Sequence, residues 1–157
     1  MADSSGERGM ERSRAPVAPN TGSRRRGTMR TLLWAVGLWI GGFDLIYACQ
    51  DAEVDRQIGV HSVPARFGVA FALRLSAAVH VVTFGLFVWF GVLVGLGWLW
   101  WIGLALAGAA FVYEHAIVTA NDLSRVNRAF FTANGFVGIA LFVFALSDLV
   151  IRLGLRP

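Results

Sequence analysis

The sequence predicts an all-α fold, a polytopic membrane helical bundle of four transmembrane helices, on three observations. The 157-residue chain is 56% hydrophobic and only 15% charged, with a mean hydropathy of +0.60. Four of its stretches are long and apolar enough for a bilayer core of about 30 Å, which takes roughly 20 residues at about 1.5 Å rise each. Irregular backbone cannot face lipid, because its amides and carbonyls would find no partner there, so each stretch is expected to be helical.

The spans are expected at about residues 31–49, continuing through an acidic stretch to 55, then 69–90, 98–118 and 128–151. Trp98, Trp100 and Trp101 gather where an interfacial aromatic belt would lie. Gly37 and Gly41 have the four-residue spacing that lets membrane helices approach closely. Cys49 is the one cysteine, which excludes an internal disulfide and a cysteine-based metal cluster.

Residues 1–29 read differently. They are rich in Gly, Ser, Pro and Arg and show no apolar periodicity, so they cannot bury enough surface to offset the entropy of ordering. A disordered Arg-rich tail is expected there, with one domain over residues 30–157. Seven of the fourteen basic residues lie in the first thirty positions, and none of the fourteen is lysine. The pI near 10.5 therefore reflects the tail and not a basic groove, and nucleic acid is excluded as a partner. No short apolar core with a small-residue cleavage site precedes residue 31, so that run is read as a span and not a secretory signal.

The connections differ in kind. Residues 91–97 carry no charge, whereas 51–67 and 114–128 are charged. In an up-and-down bundle those two charged loops share one face. That face collects Arg56, Arg66, Arg74, Arg125 and Arg128 against Arg152 and Arg156 opposite, which makes it cytoplasmic by the positive-inside rule. Adding the arginines of the tail to the opposite side reverses the count, so the tail conflicts with the orientation of the body.

The stretch GFDLIYACQDAEVDRQIGVHSVPARFG, residues 42–68, carries the chemistry. Asp44, Asp51 and Asp55 stand at i, i+7 and i+11, within about 40° of one another on a continuous helix, with Tyr47 about 60° to one side. Three stacked carboxylates repel each other and resist desolvation, and a multivalent cation relieves both problems. Mg²⁺ binds through one or two carboxylates, keeps waters and bridges to phosphates, which suggests a diphosphate held at a membrane face. The alternative is an ordinary helix end whose carboxylates face water. Asp44, set within an apolar run, is the least ordinary of the three.

The pattern D-x-x-Y-x-x-x-D-x-x-x-D resembles the second aspartate-rich motif of the UbiA superfamily of intramembrane aromatic prenyltransferases. Gly59, Ser62, Pro64, Phe67 and Gly68 are similar to the family's G-x-x-S-x-P-x-x-F-G continuation. The resemblance spans about residues 31–152 and is nearest to 4-hydroxybenzoate polyprenyltransferases. Tyr113-Glu114-His115, Asp122-Leu-Ser-Arg125-Val-Asn127 and Phe130-Phe131-Thr-Ala-Asn134-Gly135 resemble bacterial menaquinone-pathway members.

That resemblance implies a nine-helix bundle whose last four helices are these. It implies Mg²⁺-dependent transfer of a polyprenyl group from its diphosphate to an aromatic acid, 4-hydroxybenzoate or a dihydroxynaphthoate, in ubiquinone or menaquinone biosynthesis. Asp44, Asp51 and Asp55 would be metal ligands, with Tyr47 beside the allylic cation or diphosphate. Ser62, Arg66, Asn121 and Arg125 would bind substrate. Glu114 and His115 would line the aromatic-acid pocket, or else belong to a solvated loop. His61 is placed as a loop histidine within reach of phosphate and His80 as a packing histidine. The family's first motif, N-x-x-x-D-x-x-x-D, is absent, since Asp3 is the one aspartate before Asp44. The expectation is therefore a C-terminal fragment incomplete on its own, a chain with a shifted start, or a C-terminal half that must pair with an N-terminal half, in the bacterial inner membrane with its active-site loops cytoplasmic. A small non-catalytic membrane subunit or an ion-conducting bundle is the rival reading.

Overall fold

The computed structural model describes residues 21–154, and the segment before residue 21, most of the expected tail, lies outside it. Four long helices carry the fold: α1 (Thr21–Ala48), α4 (Val69–Val94), α5 (Trp98–Ile117) and α7 (Asn134–Gly154). Short pieces join them at one end: α2 (Ala52–Ile58), α3 (Val63–Phe67) and α6 (Val126–Arg128), the last running through a π-helical segment (Ala129–Ala133) into α7. All four long helices are long and apolar enough to cross a membrane, and the chain is an integral membrane protein. The fourth span begins at Val126 once its π-helical turn is included.

The first helix starts at Thr21, ten residues before the expected start of its span. Residues 21–29, expected to be part of the disordered tail, are therefore helical. An arginine-rich run without proline lets helix propagate outward from a span, because arginine is a good helix former.

Helix α1 packs on α4 and α5 on α7, around a core of Ala35, Phe87, Trp100, Leu104, Ala107, Phe111, Val137 and Leu141. A second cluster, Ile46, Val118, Val126 and Ala129, closes the end that holds the charged loops. Trp100 corrects the belt expectation, because it is buried between Phe87 and Phe90 with centroids at 6.4 and 5.8 Å, while Trp98 is 67% exposed. Gln50 Nε2 donates to Asn127 Oδ1 at 3.4 Å, which places the two charged connections at the same end of the bundle. At the opposite end the buried Asp148 of α7 accepts the Gly97 N–H at 2.8 Å, pinning the turn that leads into α5.

The close approaches are made by glycines other than the expected pair. A Cβ on Gly37 or Gly41 would meet nothing within 4 Å, whereas one on Gly42 would run into the His80 ring. The α1–α4 contact is sealed there by Ser76 Oγ, which donates to the Gly42 carbonyl at 2.6 Å. Gly42→Ala is accordingly expected to cost about 1–3 kcal/mol, the range for overpacking a close contact. Gly41→Ala should be neutral or stabilising by up to about 1 kcal/mol, from helix propensity alone. Denaturant unfolding in micelles, followed by tryptophan fluorescence, measures both.

Candidate active site at the charged end

The acidic motif does not lie on one helix. After Ala48 the amides of Cys49, Gln50 and Asp51 each bond three residues back, at 3.2, 3.1 and 3.3 Å, and α1 stops. Asp51 sits at the junction, and its carbonyl accepts the Asp55 N–H at 2.8 Å to begin α2. Asp44 is thus on α1, Asp51 between helices and Asp55 within α2, so the single-face arithmetic does not hold. The physical reason is where the apolar run ends: past Cys49 the chain has charges to keep in water, and the tight turn buries Ala52 while Glu53 and Arg56 stay exposed.

Asp44 and Asp51 are exposed and Asp55 is half-buried. Among the described residues Glu53 pairs with Arg56, and Glu114 lies 3.8 Å from the His80 ring, so none of the three aspartates has a cationic partner. Nor do three carboxylate, imidazole or thiol groups among the described residues converge into a set that would hold a metal by itself. Asp44 projects from α1 about 180° away from Ala35, Gly42 and Ile46, the residues that pack into the bundle. Its face is shared with the exposed Leu33, Ile40 and Tyr47.

The continuation of the motif builds a turn that needs its residue types. Gly59 ends α2 at φ +78° and Gly68 joins α3 to α4 at φ +91°, conformations that L side chains avoid. The Ser62 hydroxyl accepts the Ala65 N–H at 3.3 Å and caps α3, with Pro64 in its first turn. Arg66 lies over the Phe67 ring at 5.3 Å. Arg56 ties the two short helices together by donating to the Ala65 carbonyl at 3.3 Å and pairing with Glu53. Arg56, His61 and Arg66 line one cleft of about 430 Å³ with Gly59, Val60 and Ala65. Arg56 was not foreseen as a site residue, although a cation directly after Asp55 was the available signal.

Tyr47 belongs to an aromatic ladder. Trp39, Phe43 and Tyr47 follow at i, i+4 and i+8 along α1, and Phe130 from the π-helical segment stands 5.1 Å from Phe43 and 5.0 Å from Tyr47. Trp39 Nε1 donates to Asn134 Oδ1 at 3.1 Å one turn further on. A π-helical turn adds a residue to the helix and is a frequent mark of functional sites.

The last predicted group separates. Glu114 is fully buried and His115 bonds His80 within the bundle at 3.0 Å. Asn121 and Arg125 are exposed in the loop, and no hydrogen bond joins them to Glu114 or His115 among the described residues. Between them Asp122 forms a local turn, accepting the Ser124 N–H at 3.0 Å and its hydroxyl at 2.6 Å. Those donors, with Arg125, hold its carboxyl below the usual range.

The UbiA prenyltransferase family matches residues 20–146, most of the chain. The chain belongs to that family. Among its relatives this UbiA-family chain is 32% identical over 111 residues to the 4-hydroxybenzoate octaprenyltransferase of Chromohalobacter salexigens, covering 71% of the chain and 37% of that protein. With the enzyme of the same name from Cupriavidus necator the figures are 32% over 111 residues, 71% and 38%. With that from Methylococcus capsulatus they are 29% over 134 residues, 83% and 45%. The chain thus spans less than half the length of these relatives. No solved structure matches it.

Cys49 lies at the centre of the UbiA motif yet is buried, and its thiol donates to the Leu45 carbonyl at 3.2 Å. Burial pushes its pKa up from 9.0 to about 11. A rise of about two units leaves roughly a hundredfold less thiolate at any pH below 9, and the thiolate is the nucleophile. Alkylation of Cys49 by iodoacetamide at pH 8 is therefore expected to be about a hundredfold slower in the folded chain than after denaturation, and to accelerate as pH rises toward 11.

Proposed function

We propose that this chain supplies the second aspartate half-site of an Mg²⁺-dependent aromatic prenyltransferase. In this reading it transfers a polyprenyl group from its diphosphate to 4-hydroxybenzoate or a dihydroxynaphthoate in quinone biosynthesis. The observations that carry the reading lie toward one end of the bundle: Asp44, Asp51 and Asp55 have no cationic partner among the described residues, and Asp55 directly precedes Arg56, which lines a cleft with His61 and Arg66. Opposite charges side by side match a ligand that is itself a metal–phosphate pair.

The donor set fits Mg²⁺. Asp44, Asp51 and Asp55 offer hard oxygen ligands, and an ion that uses one or two carboxylates and takes its other positions from water and phosphate does not require them to converge. Bound there, Mg²⁺ would neutralise charge that builds on the departing diphosphate. The chain's own groups do the rest. Arg56, His61 and Arg66 bind phosphate oxygens. The allylic C–O bond breaks with its electron pair leaving on the diphosphate, and the faces of Tyr47 and Phe130 shield the resulting cation from water. A ring carbon of the acceptor then forms the new C–C bond, and its proton passes to the released diphosphate or to water.

Asp44 points away from the bundle, on a face with exposed Leu33 and Ile40, which fits an N-terminal half seated against α1 and bearing the first aspartate motif. Counted without the arginines at the start of α1, which lie at the other end, Arg56, Arg66, Arg74, Arg125 and Arg128 would put the motif loops on the cytoplasmic side of a bacterial inner membrane. The test is transfer of radiolabelled polyprenyl diphosphate to 4-hydroxybenzoate in membranes that hold this chain together with an N-terminal half. Mg²⁺ removal by EDTA, Asp51→Asn and Asp55→Asn are each expected to lower turnover at least about a hundredfold, the scale of losing an electrostatic stabiliser of the leaving charge. Turnover indifferent to both aspartate changes would remove the site assignment.

A further inference from the structure

We infer that the first turns of α1 bind an anionic phospholipid, with its phosphate on Arg26 and Arg30 and an acyl chain in the groove below them. The two ends of the bundle differ in how their charges are offset. At the motif end the arginines share the loops with Asp51, Glu53, Asp55 and Asp122. The opposite end gathers Arg24, Arg25, Arg26 and Arg30 of α1 with Arg152 of α7, whose guanidinium would lie 3.9 Å from a Cβ on Gly95. The one acidic residue there among the described residues is Asp148, which is buried and already accepts the Gly97 N–H. None of these arginines has an acidic partner among the described residues. Cations left unbalanced at the edge of a span attract anionic lipid headgroups.

Placement on the helix selects two of the α1 arginines. At about 100° per residue, Arg26, Arg30, Leu33 and Gly37 fall within about 60° of one another. Arg25 stands about 100° from Arg26, and Arg24 about 160°. The segment is helical out to Thr21, and the Thr28 and Thr31 hydroxyls donate back to the Arg24 and Gly27 carbonyls at 3.0 and 3.1 Å. The exposed guanidinium groups are thus the free donors on this stripe. Two of them one turn apart present planar forks that match phosphate oxygens.

Directly below, Arg30, Leu33, Trp34, Gly37 and Leu38 line a groove of about 570 Å³. Leu33 and Trp34 are 64% and 67% exposed, and a Cβ on Gly37 would meet nothing within 4 Å, so the groove opens to lipid. Its occupant has to satisfy both the apolar walls and the cations at the mouth. A free phosphate leaves the groove empty, and an apolar helix leaves the arginines without counter-charge. A zwitterionic lipid brings a cation of its own to the arginines. A phospholipid of net negative charge meets both demands. Asp44 shares this face but lies about 21 Å further along the helix from Arg30, at about 1.5 Å per residue, so a lipid here leaves the aspartate end of the face free for other helices.

The experiment uses the whole chain in phosphatidylcholine nanodiscs that carry a minor fraction of a phospholipid with a diazirine in its acyl chain. The probe is either phosphatidylglycerol or phosphatidylcholine, and a nanodisc offers both leaflets alike, so the direction of insertion does not enter. The phosphatidylglycerol probe should label residues 33–38 about twenty-five-fold more than the phosphatidylcholine probe, about fivefold for each of two arginines. Arg30→Gln should cut that preference about fivefold, and Arg26→Gln combined with it should abolish the preference. Arg24→Gln, on the far side of the helix, should leave it within about twofold. Gly37→Leu, which fills the groove beneath intact arginines, should lower labelling by both probes. All of these positions are exposed, so the variants should fold. Equal labelling by the two probes would overturn the assignment and leave a groove filled by bulk acyl chains. An effect of Arg24→Gln as large as that of Arg30→Gln would overturn it as well, leaving a diffuse positive surface without a site. Labelling by neither probe would overturn it in favour of a groove covered by protein, such as a second copy of this chain.

Discussion

The seating of α4 against α1 at Gly42 is the contact on which the remaining geometry depends. With no side chain at that position, the His80 ring lies directly on the α1 backbone, near enough to reach the Trp39 carbonyl, while Ser76 bonds the Gly42 carbonyl one turn away. His80 in turn holds His115 and stacks on Phe111, so α5 takes its position from the same ring. Lipid offers helices no hydrophobic drive to associate, and packing of small residues with a few polar bonds has to replace it. Here both devices meet at one residue pair.

That economy of polar contacts explains why charged side chains collect at the end of the bundle. Within the spans every backbone group is already used by its own helix, and side-chain polarity is confined to a few buried atoms. Where α1 runs out, at Ala48, three tight turns and two short helices occupy the space before α4, held by caps and positive-φ glycines. These devices tolerate charged side chains because they sit against water. Aspartates and arginines thus share one loop, and the loop's shape is fixed by Gly59, Ser62, Pro64 and Gly68 and not by the charges themselves.

What the sequence made legible follows the same division. The four spans could be read because lipid imposes a minimum apolar length, and the structure places all four where that length occurs. The motif could be read because its residue types are unusual beside an apolar run. Its shape could not: spacings of seven and four residues suit a continuous helix, and no glycine or proline in DLIYACQDAEVD marks the stop after Ala48, which is signalled only by the end of the apolar run. Glycine pairs misled for a related reason. Gly37 and Gly41 have the favoured spacing, but their helix turns them outward, and Gly42, one residue later, is the one that touches a neighbour. Periodicity tells which residues share a face and leaves open which face is covered.

The three faces of α1 therefore set the limits of what these helices do on their own. Its inner face, through Ala35, Gly42 and Ile46, is consumed by packing, and its lateral face, through Trp39, Phe43 and Tyr47, is covered in part by Phe130 and Asn134. Its outer face carries Asp44 among exposed apolar residues. An intramembrane carboxylate on an uncovered helix face is costly to keep in lipid. In the proposed enzyme that cost is offset when a second set of helices brings metal and diphosphate to the same face, so that the half-site becomes a site only on assembly.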